Sequence, residues 1–325
     1  MRQGGLVVSP APTPDPGRLP EPEEASQRIA AIEAGLDPAH PELSGVKVLA
    51  YGEISATLIL PDPLFDGVVA KRMTGFPDTV TAAAYIDLVE GYCLDLAEAG
   101  VSVVQTSAVP VPRSGRAPAV YLLQPQLSAE HLGNSLLGTV DDATLAGATL
   151  AALSAVDAAL SGGGSGQELA VDGQLSNWWF GDGPDQPPTL IDVGTPFVRR
   201  DGVHQLQPRI MLAAVPPGVR SWYLWRQAGE KYMDDYFDRR LVGLDLLGNF
   251  IKEGASERIP VGLDAVNEWL AGEGPVSADE VQKYYDDDAA TLELFLRARR
   301  ADRWLRTKAL RGRYDFVLPG RVNRG

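Results

Sequence analysis

In the stretch VDGQLSNWWFGDGPDQPPTLIDVGTPF, residues 171–197, Asp172, Asn177 and Asp192 are placed around a double tryptophan and a Pro/Gly turn. The apolar runs NWWF (177–180) and TLI (189–191) flank the turn-rich GDGPDQPP. That pattern predicts a β-hairpin. Asn177 opens the first strand and Asp192 ends the second, so antiparallel pairing brings an amide oxygen and a carboxylate to one edge. Hard oxygens held there suit Mg2+, which keeps several waters and takes further ligands from phosphates. Asp172 lies in the loop entering the hairpin, and a carboxylate there could accept a proton from an attacking hydroxyl.

Upstream, the sequence predicts elements able to frame such a site. Residues 26–36 form a short helix with Ser26 as its cap. VKVLAYGEISATLIL (46–60) gives two strands joined around GEIS, and DGVVAKRM (66–73) gives a third. A helix runs from about Val80 to Ala99, with Ile86, Val89, Cys93 and Leu96 at helical spacing and Gly100 ending it. VSVVQTSAVPV (101–111) and AVYLLQPQL (119–127) supply two more strands. The remainder is mostly helical, at 141–162, 222–254, 263–272 and 277–310. The last of these opens on a Ser277/Glu280 capping box. SGGGSG (161–166) lacks the Lys-Ser/Thr of a phosphate-binding loop and reads as a flexible connection.

Composition narrows the function classes. The chain has 325 residues, 45% of them apolar, enough for one large or two medium domains. Cys93 is the sole cysteine, which excludes an intrachain disulfide and a cysteine-built zinc site. The histidines, His40, His131 and His204, are scattered and form no metal motif. The net charge of −14 argues against general nucleic-acid binding. From Arg297 onward ten Arg/Lys and two Asp give +8, against −22 for the body. That tail reads as a helix packing its aliphatic stems on the acidic body, or as a surface for a phosphate-rich partner. Residues 1–25 are rich in Pro, Glu and Ser and read as disordered or loosely attached. The N-terminal apolar run is too short for a signal segment, and no stretch is expected to reach the length of a membrane span. A cytoplasmic location without membrane or nucleic-acid partners follows as the expectation.

The D-x4-N spacing of Asp172 and Asn177, the hairpin, and the following Asp192-Val193-Gly194 together resemble the protein-kinase-like fold. The likeness is nearest to its small-molecule branch, the aminoglycoside phosphotransferase-like kinases. The β-β-β-α-β-β order of residues 46–127 is similar to that family's small lobe. The resemblance implies an α+β fold of two lobes. These are an N-terminal extension (1–45), partly disordered with a short helix, a nucleotide-binding lobe (46–126) with five antiparallel strands and one main helix, and a helical lobe (127–325) with the catalytic loop and acceptor site.

It also implies roles. Asp172 corresponds to the catalytic aspartate, and Asn177 and Asp192 to the residues that hold Mg2+. Lys71 corresponds to the lysine that contacts the ATP phosphates, with Glu90 on the next helix as its expected partner. GEISAT (52–57), with Gly52 and Ser55, would cover the phosphates. QPQL (124–127), with Gln124, Gln126 and Leu127, would be the adenine-binding hinge. The implied activity is ATP-dependent phosphoryl transfer to a hydroxyl of a small molecule. A catalytically weak kinase-like binding or regulatory protein, and nucleotidyl transfer on the same fold, stay open. The chain departs from the family in having Ala170 where a histidine is usual and one glycine, Gly52, in the phosphate loop. Glu230, Asp234, Asp235, Asp238 and Asp245 would favour a cationic acceptor, or form a solvated face paired with Arg239 and Arg240. Taken alone, Lys71 is also compatible with an edge-strand charge and Glu90 with ordinary helix surface. Of Trp178 and Trp179, one is expected in the core and neither in catalysis.

Overall fold

Alternating apolar residues along five extended segments build the main sheet. β1 (Lys47–Tyr51), β2 (Ser55–Ile59), β3 (Val68–Met73), β5 (Ser107–Arg113) and β6 (Arg116–Pro125) pair antiparallel in the order β1-β2-β3-β6-β5. The computed structural model describes residues 18–52, 54–181, 186–211, 233–309 and 314–318. Within these the fold is mixed α+β. Glu53, residues 182–185 of the hairpin turn, residues 222–232 of the expected helix, and 310–313 and 319–325 of the basic tail lie outside the described residues, as do residues 1–17.

Each face of this sheet is covered by a helix. On one face Ala56, Leu58, Ala70, Val109, Tyr121 and Leu123 pack with Ala25, Ile29 and Leu36 from α1 (Pro22–Gly35) and its C-terminal cap. On the other face Met73, Val120 and Leu122 join Tyr85, Val89, Tyr92 and Leu96 of α2 (Thr79–Glu98). Period-two alternation in the strands makes this division possible, because neighbouring side chains point to opposite faces. Asp78 caps α2 by accepting the Thr81 N–H at 2.7 Å, and Gly100 ends it at φ 89°. Ser26 is not a cap. It sits inside α1, whose N-cap is Glu21, and its hydroxyl donates to Pro110 O at 2.6 Å.

The helical half continues the same core. α3 (Gly133–Thr139), α4 (Asp142–Ser161), α6 (Arg239–Lys252), α7 (Ile259–Trp269) and α8 (Ala278–Trp304) follow, with the single turn α5 (Pro208–Met211) between. α4 corrects the expectation that no segment matches a membrane span: its length and composition alone would suffice. Leu145, Ala152, Leu153, Val156 and Ala159 of α4 lie in the main core. The expected helix around 222–254 breaks at Asp238, whose extended backbone lets its carboxylate cap α6 at the Leu241 N–H, 3.0 Å. The Ser277/Glu280 capping box at the start of α8 is present as expected.

Two small sheets complete the frame. The stretch 101–111 is not one strand. β4 (Ser102–Val103) leaves the main sheet and runs parallel to β9 (Thr189–Leu190), which pairs antiparallel with β8 (Trp178–Trp179). β7 (Gln167–Ala170), β10 (Phe197–Arg200) and β11 (Val203–His204) form the other sheet. The glycine segment before β7 is largely exposed, but two of its glycines sit close to other chain segments. A Cβ at Gly162 would stand 2.1 Å from Ala99 Cβ, and one at Gly163 2.0 Å from Gln167 O. Glycine is used there for close approach of chain segments.

Candidate functional site

The hairpin forms but is shorter than expected: its strands are Trp178–Trp179 and Thr189–Leu190, and Asn177 closes a 3-10 turn just before the first. Trp178 faces Leu190 and Trp179 faces Thr189, and Ile191 N–H donates to Asn177 O at 2.9 Å. Trp178 is fully buried and anchors the hairpin, while half-buried Trp179 donates from its indole N–H to Ser128 O. The two strand ends therefore carry Asn177 and Asp192 to the same edge. Among the described residues the side-chain amide of Asn177 makes no hydrogen bond.

Lys71 reaches this edge from β3, where it stands opposite Thr57 of β2 and Leu122 of β6. Its Nζ donates to Asp192 Oδ1 at 2.5 Å. Gly194 N–H donates to the same oxygen at 3.0 Å. Burial pushes the Asp192 carboxyl up, but the Lys71 charge and these hydrogen bonds outweigh it and hold it below the usual carboxylate range. A Cβ at Gly194 would lie 3.1 Å from Nζ, so a larger residue there would press on the ammonium.

Glu90 is not the partner of Lys71. It is exposed, and among the described residues it makes no ion pair. The inward stripe of α2 runs through Ala82, Tyr85, Val89, Tyr92 and Leu96, about 100° around the helix from Glu90. Two phenols on that stripe, both missed in the sequence, grip the site instead. Tyr85 OH donates to Gly194 O at 2.7 Å, and Tyr92 OH donates to Ala170 O at 2.6 Å. Each fixes a backbone carbonyl two positions from an aspartate, Asp192 or Asp172. Loss of either hydroxyl would remove a buried hydrogen bond, worth about 0.5–1.5 kcal/mol net.

The expected nucleotide-contact residues divide. Gly52 and Ser55 close the β1–β2 turn, Gly52 N–H donating to Ser55 O at 3.0 Å. Ser55 stands opposite Met73, on the same strand as Thr57 and facing the same side. Gln124 turns inward, donating from Nε2 to Thr106 Oγ1 at 3.1 Å and Ile191 O at 2.9 Å. It ties the main sheet to the strand end that carries Asp192, and its side chain is not presented to a ligand. Gln126 is exposed with its backbone N–H donated to Gly67 O at 2.8 Å, and Leu127 is half-buried.

Asp172 follows β7 and is half-buried. Its Oδ1 accepts the Gln174 N–H at 3.0 Å, which fixes the rotamer in the loop. The Gln174 side chain in turn donates to Asp245 Oδ2 of α6 at 2.8 Å, and Tyr284 OH of α8 donates to Asp245 Oδ1 at 3.2 Å. Burial first, then the Asp245 charge, pushes Asp172 up to about 7. Asp245 is raised as well, chiefly by burial.

Of the acidic run expected to line an acceptor pocket, Asp245 joins this network through Gln174 and Tyr284. Asp234 pairs with Arg199 and His204, and Asp238 caps α6. Glu230 lies outside the described residues. Arg239 pairs with Asp157 and Glu273, and Arg240 with Glu280, so the run is not neutralised by those arginines either.

Among the described residues no group of three His, Cys, Asp or Glu side chains could hold a metal ion. Asn177 and Asp192 supply two hard oxygens, which fits a Mg2+ held mainly by water and phosphate and not a cation caged by protein. Two cavities of about 600 and 630 Å3 lie elsewhere, between the 36–48 segment and the end of α8, and none of the site residues lines them. Arg303 lines both, with Glu42 and Lys47 beside the first and Asp37, His40 and Lys308 beside the second.

The model of the family described as "Family of unknown function (DUF6206)" matches residues 40–303. The chain belongs to the DUF6206 family. No curated protein matches this DUF6206 chain. Among solved structures it is similar to aminoglycoside 2'-phosphotransferase-IIIa in its GDP complex, at 14% identity and a TM-score of 0.32, covering 70% of this chain and 93% of that one. It is similar to WaaP in complex with acyl carrier protein, at 13% identity and a TM-score of 0.32, covering 82% and 97%. WbdD matches at 13% identity and a TM-score of 0.30, covering 75% and 50%. Likenesses at this level carry no functional argument.

Proposed function

We propose that this DUF6206 chain is an ATP- and Mg2+-dependent phosphotransferase acting on a hydroxyl of a small molecule, built as a divergent kinase-like fold. In this reading residues 46–126 form the nucleotide-binding lobe and residues 127–325 the catalytic one, with the 1–45 segment preceding them. The observation that carries the proposal is the Lys71–Asp192 contact at 2.5 Å beside the Asn177 strand end. A cation donor from the sheet and a carboxylate meet near the chain segment that carries an amide side chain, the three groups a metal–phosphate site needs.

In this reading Asn177 and Asp192 hold Mg2+, which when bound neutralises phosphate charge. Lys71 exchanges its contact with Asp192 for phosphate oxygens. Gly52 and Ser55 lie over the phosphates. Backbone groups near Gln126 and Leu127 border the adenine, and Gln124 fixes the floor beneath it. Asp172 orients the acceptor hydroxyl and takes its proton. A carboxyl raised toward neutrality is a better base than an ordinary aspartate. Most of the rate gain would come from positioning and charge neutralisation.

The exposed position of Glu90 and Ala170 in place of a histidine favour a second reading, a kinase-shaped binding protein of little turnover. Labelled ATP incubated with the protein, Mg2+ and metabolite extracts separates the two by mass spectrometry. A labelled phosphorylated product supports transfer, a labelled nucleotidyl product supports nucleotidyl transfer, and nucleotide binding without product supports the binding protein.

A further inference from the structure

Gln174 is held at three points. Its backbone N–H donates to Asp172 Oδ1 at 3.0 Å, and its Nε2 donates to Asp245 Oδ2 at 2.8 Å. Its Oε1 accepts from Asn249 Nδ2 at 3.3 Å. Asp245 and Asn249 stand one turn apart on the same face of α6. The helix therefore grips both ends of the Gln174 amide, while the backbone of the same residue grips Asp172. Asn249 is only 2% exposed.

Asp245 makes no ion pair among the described residues. An asparagine at that position could keep both hydrogen bonds, because the Tyr284 hydroxyl can donate or accept. The charge at 245 thus adds nothing that the bonding pattern requires. A half-buried carboxylate without a cation partner, near a second one, disfavours the folded state. Its effect is felt at Asp172. The charged and titratable groups facing Asp172 are Asp245 and Lys252 from α6, Asp192 beyond β9, and Tyr92 from α2. Those facing Asp245 are Lys252 of its own helix and Asp288 and Tyr284 from α8.

We propose that Asp245, acting through Gln174, is a positioning residue for Asp172: it fixes the carboxylate in the loop, and its own charge tunes how readily that carboxylate gives and takes a proton. The catalytic part of this statement rests on the phosphotransferase reading, whereas the link between the two carboxylates does not. α6 then sets the reactivity of a loop 71 positions away in the chain.

The test compares the full chain with Asp245→Asn, Asp245→Glu and Gln174→Met. The titration of the Asp172 carboxyl is followed by carbon NMR on aspartate-labelled protein, assigned with Asp172→Asn. Phosphate release from Mg·ATP with water as acceptor is measured over the same pH range. In Asp245→Asn the Asp172 titration should move to lower pH by about one unit, a tenfold change in proton affinity. The acid limb of turnover should move with it. Asp245→Glu should return both toward the parent. Gln174→Met should lower kcat roughly tenfold with KM for Mg·ATP unchanged, the pattern of a displaced base. An Asp172 titration that does not move in Asp245→Asn overturns the proposal. If it moves while the parent transfers phosphate neither to water nor to any component of metabolite extracts, the link stands and the phosphotransferase reading fails.

Discussion

Lys71 and Asp192 are separated by 121 positions in the chain, yet Nζ and Oδ1 meet at 2.5 Å. The contact joins the middle of the main sheet to the end of the β8–β9 hairpin. It is enforced from several sides: β4 pairs with β9, Gln124 donates to Ile191 O, and Tyr85 donates to Gly194 O. The charge pair is thus the product of backbone placement, not a chance meeting of two flexible side chains.

Lys71→Met should therefore leave the fold intact and weaken ATP·Mg2+ affinity by at least roughly tenfold, about 1.4 kcal/mol. Calorimetric titration measures it directly. In the same variant the Asp192 carboxyl should titrate at higher pH, since the cation that depresses it is gone. Equal affinity in parent and variant would place Lys71 outside the nucleotide site.

Glu90→Ala should change neither nucleotide affinity nor stability by more than about 0.5 kcal/mol, as for an ordinary surface position. Denaturant unfolding and the same titration check both. A loss of affinity like that of Lys71→Met would show that Glu90 reaches the site in a nucleotide-bound arrangement.

Tyr92→Phe should lower stability by about 0.5–1.5 kcal/mol, because a buried hydrogen bond to Ala170 O is lost. Chemical denaturation gives the number. An unchanged midpoint would mean that another group satisfies this carbonyl.

The pH dependence of stability follows from Asp172. Its folded-state value, about 7, lies above that of an unfolded aspartate, so the folded protein binds the proton more tightly. Its contribution is fully present below the unfolded value and is lost as pH rises through about 7. Asp172→Asn should consequently flatten this stretch of the stability curve and stabilise the protein at alkaline pH. Urea unfolding on both sides of neutrality tests it, and a parent curve that climbs across the window contradicts the sign.

The sequence made the hairpin, α2 and most strands legible, because each announces itself locally: apolar runs around a Pro/Gly turn, a capped helical stripe, alternation with period two. Asp172, Asn177, Asp192 and Lys71 could be picked out on that basis. What stayed hidden is tertiary. Glu90 borders an apolar face defined by Ile86 and Cys93, but the sheet draws in the neighbouring stripe, where tyrosines carry no charge to notice. QELA and FVRR of β7 and β10 are four residues each, too short to show a period. The two-residue β4 becomes a strand only by pairing with β9. Asp245 looked like one of five acidic side chains, and nothing local distinguishes it from Asp238, which caps a helix. Only the fold brings it to Gln174.

The central claim is a division of labour between Asp192 and Asp172, and one measurement addresses it: Mg2+-dependent ATP affinity and phosphoryl transfer, determined side by side for the parent, Asp192→Ala and Asp172→Ala. Asp192→Ala should lose metal-dependent binding and turnover together. Asp172→Ala should bind ATP·Mg2+ nearly as the parent does, while turnover falls by roughly two to four powers of ten, the scale of a positioned base. Full turnover in Asp172→Ala would contradict the account.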